Sequence, residues 1–171
     1  PQLSKVAKVY KNAIEYPKLE SVYKVISSDA HTKHGFNSHA IIFDELHAQP
    51  NRELYDVLST STGSRQQPLM VMLTTAGFGE NTICREQWRY GEAVLSGAIK
   101  DDSFFAYIAA ADPADDWTSP ETWKKANPGL GYTISEDYLR EACEKAKQIP
   151  AFQDTFKRLH LNIWTSSDSR W

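Results

Sequence analysis

Two adjacent carboxylates, Asp44 and Glu45, end the run Ala40-Ile41-Ile42-Phe43 within "SHAIIFDELHAQ". Four apolar residues followed by Asp-Glu is the Walker B arrangement. In it the first acid holds the Mg²⁺ of a nucleotide, often through water, and the second orients and deprotonates the attacking water. The order has a physical reason: consecutive side chains at a strand end point different ways, so one acid can face a metal while its neighbour faces a γ-phosphate. A positioned base contributes about 10² to 10⁴ in rate, roughly 3 to 5 kcal/mol of barrier. The alternative for so short a pattern is a strand end carrying two solvated acids that cap the next helix.

A second apolar run, "LMVMLTT", places Thr74 and Thr75 at its end, just before the glycine-containing loop "AGFGEN". Hydroxyls there could sense the γ-phosphate and relay its loss, although β-branched residues also end strands for reasons of shape alone. His47 lies three residues past Asp44. An Asp/His metal site is disfavoured because no further cluster of His and acids appears. Arg52 and Arg65 fall near the same edge, where they are either arginine fingers toward a neighbouring subunit or ordinary solvated side chains.

The elements that must position these groups follow from periodicity. Leu3, Val6, Ala7, Tyr10, Ala13 and Ile14 recur at helical spacing and Pro17 ends the run, so a first helix is expected. A short strand is predicted over Ser21 to Ile26, closing in a Ser27-Ser28-Asp29 turn, with a polar loop around Gly35. Ala40 to Phe43, Leu69 to Thr75 and Ser103 to Ala110 are uniformly apolar enough to predict interior strands covered on both faces, as in parallel sheets. Between them, helices are expected from Pro50 to Ser61 and from Thr82 to about Ala98. Strand, helix, strand, helix, strand defines an α/β domain with a mostly parallel central sheet flanked by helices. Beyond residue 111 the chain becomes rich in Pro, Asp and Trp. Short helices are predicted from Pro120 to Ala126, after a Ser135 cap, and from Ala151 to His160. The domain division is therefore expected as 1–111 and 112–171.

Composition limits the function classes. The 171 residues carry a formal net charge of -3, so binding to nucleic acid by bulk charge is not indicated. The two cysteines, Cys84 and Cys143, fit neither a disulfide framework nor a zinc spacing. No apolar run approaches the roughly 18 residues that span a bilayer. The chain opens at Pro1 without an initiator Met and stops at Trp171, and is expected to be a piece of something longer.

Four segments in order, "SSDAHTKHGFNSHAIIFDELHAQ", "RELYDVLSTSTGSRQQPLMVMLTTAG", "WKKANPGLGYTIS" and "FKRLHLNIW", resemble the ATPase half of large terminase subunits of HK97-like tailed phages. The resemblance implies a P-loop NTPase fold of the ASCE/RecA-like kind, using ATP and Mg²⁺ to drive double-stranded DNA into a procapsid. It implies a homo-oligomeric ring in the host cytoplasm, docked on the portal protein and served by the small terminase subunit. Asp44 is then the Mg²⁺-coordinating acid, Glu45 the catalytic glutamate, and Thr74, Thr75 and Ala76 the coupling motif. Ala126 to Gly131, "ANPGLG", matches a family segment with no assignable chemistry. No GxxxxGK[ST] loop is present. The resemblance places that loop upstream of residue 1 and the nuclease domain after Trp171, making 1–111 the latter part of the ATPase core and 112–171 a helical lid or linker. A DEAD/DEAH-like helicase, suggested by "DELH", and a non-catalytic interaction module are the competing readings.

Overall fold

The computed structural model describes residues 5–27 and 35–166. In place of the expected first helix, the chain forms a three-stranded antiparallel sheet of β1 (Lys8–Val9), β2 (Ala13–Tyr16) and β3 (Ser21–Lys24), in that order. Turn chemistry overrides the helical spacing. The Tyr10 N–H donates to the Ala13 carbonyl at 2.8 Å, closing a tight reversal through Lys11 and Asn12. The register sets Lys8 opposite Glu15 and Val9 opposite Ile14, pairings of charge and of β-branched shape that suit a sheet. Val6, Val9, Tyr10 and Ile14 remain exposed, so no core rewards a helical stripe here. Ser28 and Asp29 of the predicted turn and residues 31–34 of the following polar loop lie outside the described residues.

β4 (Ala40–Asp44) and β5 (Leu69–Leu73) form a parallel pair joined through α1 (Glu53–Thr60), a βαβ unit. α2 (Ile83–Leu95) follows, its first turn capped by the Thr82 hydroxyl, which accepts from the Arg85 N–H at 3.1 Å. The strands are not covered on both faces as expected. Ile41 and Phe43 are buried against Leu54 and Leu58 of α1 and Ile83 and Cys84 of α2, whereas Ile42 between them is 55% exposed. Helices pack on one face of this pair, and the strand consequently alternates.

The predicted third strand, Ser103 to Ala110, pairs with no other strand among the described residues. Its alternation survives without a ladder: Phe105 and Tyr107 are 88% and 72% exposed, while Phe104, Ala106 and Ile108 lie along α2. Gly91 permits that approach, since a Cβ there would come within 3.3 Å of the Ala106 Cβ. Phe104 meets the Tyr90 ring edge-on at 4.9 Å. Among the described residues the parallel part of the sheet is therefore the single pair β4–β5, where a larger central sheet was expected.

The C-terminal part contains α3 (Pro120–Ala126), α4 (Glu136–Gln148) and α5 (Pro150–Leu161), close to the predicted bounds. Ser119 and Ser135 cap α3 and α4 by accepting from the Glu121 and Tyr138 N–H groups. Trp123, Leu139, Cys143, Ala146, Phe156, Leu161 and Ile163 form a second core, distinct from that under β4 and β5. "ANPGLG" belongs to this second body. Ala126 is buried in its core and the Asn127 amide donates to the Trp123 and His160 carbonyls at 2.9 and 2.8 Å, tying the end of α3 to α5.

Candidate active site at the carboxyl edge of the parallel strands

The parallel register decides which groups meet. Asp44 pairs with Leu73, so Glu45 and Thr74 are the next residues on their chains, and both leave the sheet at its carboxyl edge. In open α/β sheets this is the edge where ligands bind. The backbone breaks sharply there. Glu45 sits at φ 54° and ψ 52°, in the left-handed region, and a 3-10 turn over Leu46–Ala48 drives Leu46 into the core. For a residue with a Cβ that conformation costs about 1 to 2 kcal/mol, and such strain concentrates at functional sites.

His47 gathers the cluster. Its backbone N–H donates to Thr74 Oγ1 at 3.0 Å. Its ring Nδ1 lies 3.0 Å from Thr74 Oγ1, 3.4 Å from Thr75 Oγ1 and 3.2 Å from Glu45 Oε2. The Thr74 hydroxyl donates to the Thr75 carbonyl at 2.8 Å and stands 3.6 Å from Cys84 Sγ. Burial pushes the Cys84 thiol pKa up, against smaller lowering effects of Thr74 and Arg85, so Cys84 stays a neutral thiol.

Among the described residues the Asp44 carboxylate has no hydrogen-bond or ion-pair partner, so its oxygens remain available to a cation. No group of three or more His, Cys, Asp or Glu side chains that could hold a metal occurs among the described residues. That donor set fits Mg²⁺, which is usually bound by one or two carboxylates together with substrate phosphates and waters. A neighbouring cleft is lined by Gln49, Arg52, Glu80, Thr82, Glu86 and Arg89, and by none of Asp44, Glu45, Thr74 or Thr75. Arg52 grips Asp56 through two nitrogens at 2.8 and 3.2 Å and reaches Glu86 at 3.1 Å. Arg65 donates to the Asn37 carbonyl at 3.2 and 2.8 Å. Both candidate arginines are thus engaged within their own chain.

The structure brings Glu45, Thr74 and Thr75 together around His47, with Asp44 adjacent on β4, and then extends the cluster in a direction that the sequence reading missed. Ala76 is fully buried, and its N–H donates to Asn162 Oδ1 at 3.1 Å. The Asn162 amide donates in turn to the Ala109 carbonyl at 2.8 Å. Asn162 ends α5 at φ 53°, a left-handed cap for which Asn is well suited. Trp164 then lies over Gly77, where a Cβ would approach its ring to 3.1 Å, while Ile163 enters the second core. "LNIW" therefore links the two cores at the predicted coupling motif. The available signal was an Asn directly after a helical stripe. Asn162→Ala is expected to destabilise the chain by about 2–4 kcal/mol. Of this, roughly 1–3 comes from the orphaned Ala76 N–H and about 1 from the left-handed backbone. Urea unfolding would measure it, and Asn162→Gly should recover the backbone part.

A βαβ unit with a strained acid at its carboxyl edge defines an α/β protein with its polar cluster where such folds place ligands. Residues 2–93 match the family model described as terminase large subunit, ATPase domain, and residues 98–171 the one described as terminase large subunit, endonuclease domain. The chain belongs to the terminase large subunit family of tailed phages. Protein YmfN of Escherichia coli (strain K12) is 35% identical over 137 residues, covering 80% of this chain and 30% of that protein. The large terminase subunit of Enterobacteria phage HK97 is 30% identical over 149 residues, 86% of this chain and 29% of that one. The crystal structure of the HK97 bacteriophage large terminase superposes with a TM-score of 0.82 at 23% identity, over 96% of this chain and 34% of that chain. The chain thus spans about a third of the length of these relatives. The two family matches divide between residues 93 and 98, earlier than the expected boundary at 111, and the endonuclease match begins well before Trp171.

Proposed function

We propose that this chain carries the Walker B and coupling elements of an ATP-hydrolysing motor that translocates double-stranded DNA into a viral procapsid. The observation that carries the reading is the β4/β5 register, which delivers Asp44-Glu45 and Thr74-Thr75 to one carboxyl edge, with Glu45 held in a strained left-handed turn. Asp44 presents hard carboxylate oxygens to Mg²⁺, which when bound neutralises charge on the β- and γ-phosphates of ATP. Glu45 accepts a proton from the attacking water. Thr74 and Thr75 respond to the loss of the γ-phosphate, and Ala76 passes the change to Asn162 and the C-terminal body. These 171 residues contain no GxxxxGK[ST] loop, and we infer that by themselves they do not hydrolyse ATP.

Residues 112–171, within the stretch that matches the endonuclease-domain model, act as its helical entry segment, built from α3, α4 and α5. The full-length subunit would work as a homo-oligomeric ring in the host cytoplasm, docked on the portal protein of the procapsid and assisted by the small terminase subunit. No helix among the described residues is long and apolar enough to cross a membrane.

The test is Asp44→Asn in the intact large subunit. Even an outer-shell partner of a bound metal commonly contributes about 10- to 100-fold in affinity, so loss of the ligand itself should raise the Mg²⁺ required for half-maximal ATPase by at least that factor. An unchanged Mg²⁺ titration would remove Asp44 from the site.

A further inference from the structure

The geometry assigns His47 as a positioning residue: one nitrogen of its imidazole stands against the Glu45 carboxylate and the Thr74 and Thr75 hydroxyls, so that a shift of the Glu45 carboxylate is transmitted directly to the threonines. This rests on the reading of Glu45 as the general base.

Proton accounting at Thr74 supports it. The one hydroxyl proton of Thr74 is directed to the Thr75 carbonyl at 2.8 Å. One lone pair takes the His47 backbone N–H at 3.0 Å, and the other faces His47 Nδ1 at 3.0 Å. Nδ1 thus stands within hydrogen-bond distance of the Thr74 hydroxyl and 3.4 Å from the Thr75 hydroxyl. The same nitrogen lies 3.2 Å from Glu45 Oε2, so one ring atom touches a carboxylate at β4's end and the hydroxyls at β5's end. A fixed ring nitrogen between the two strand ends changes partner when either side moves, which is the property a relay needs. The ring cannot drift to accommodate such movement. Its side chain is only 16% exposed, a Cβ on Gly77 would come 3.3 Å from the His47 Cβ, and the Ala48 N–H donating to the Glu45 carbonyl at 2.8 Å fixes the turn that carries it.

The experiment uses the intact large subunit, comparing His47→Asn, whose amide can place an N–H near the Nδ1 position, with His47→Leu, which fills similar volume without a donor. Glu45→Gln runs beside them. ATPase kcat and KM, ATP consumed per length of DNA packaged, and melting temperature are read for each. His47→Leu is expected to lower kcat by about 10- to 100-fold with KM for ATP changed less than about threefold, and to waste ATP per length of DNA, while His47→Asn recovers most of both. Equal impairment of the two variants, in step with their melting temperatures, would reduce His47 to packing and overturn the proposal. Full activity in His47→Leu alongside a dead Glu45→Gln would overturn it too, leaving Glu45 as base. An active Glu45→Gln would remove the reading on which both stand.

Discussion

Glu45→Gln in the intact large subunit is expected to lower ATP turnover by about 10²- to 10⁴-fold while leaving nucleotide affinity nearly unchanged. Gln keeps the length and shape of Glu, so the left-handed turn and the 3-10 segment after it should persist. What disappears is the ability to take a proton from water. That ability is used only as the transition state is approached, so the loss falls on kcat rather than on KM. Packaging should stop with hydrolysis. Steady-state ATPase together with equilibrium binding of a non-hydrolysable nucleotide would separate the two. Retained turnover would show that a group other than Glu45 is the general base.

The second large effect concerns stability. Phe156 is completely buried in the core formed by α3, α4 and α5, where its ring meets Trp117 at 5.8 Å and His160 at 5.2 Å between centroids. Phe156→Ala should therefore cost about 3–5 kcal/mol, the transfer of the ring plus the cavity it leaves. The loss should be local at first. This core shares no buried residue with the one beneath β4 and β5, so the packing of Trp164 and the Asp44–Leu73 register are expected to outlast it. Burial also holds the His160 pKa below its ordinary value. A water-accessible cavity beside that ring should let its pKa rise, which proton NMR would detect together with the lowered unfolding midpoint.

Legibility in the sequence followed the range of the interactions involved. α3 and α4 were readable nearly to the residue, because Pro120 and the Ser135 cap mark their starts and the buried stripe of α4 is written in local order. The acids and hydroxyls of the candidate site were readable as well, since each ends an apolar run. The opening sheet was not. Val6, Val9, Tyr10 and Ile14 recur at helical spacing, but nothing covers them, and the reversal at Lys11-Asn12 wins. Ser103 to Ala110 has the composition of an interior strand, yet an apolar run does not name its neighbour, and the contact seen among the described residues is with α2 at Gly91.

By itself, then, the sequence determined the α/β class, the βαβ unit from Ala40 to Leu73, and the chemical character of Asp44, Glu45, Thr74 and Thr75. These depend on periodicity, caps and residue type, all of which act within a turn or a strand. Tertiary structure alone decided that His47 would stand between the acid and the threonines. It alone decided that Asn162, 86 positions away from Ala76, would close a hydrogen bond to it. Pairings of that kind depend on strand register and on the seating of one core against another, and no local pattern in the chain encodes the distance between residues that only the completed fold brings within 3.1 Å.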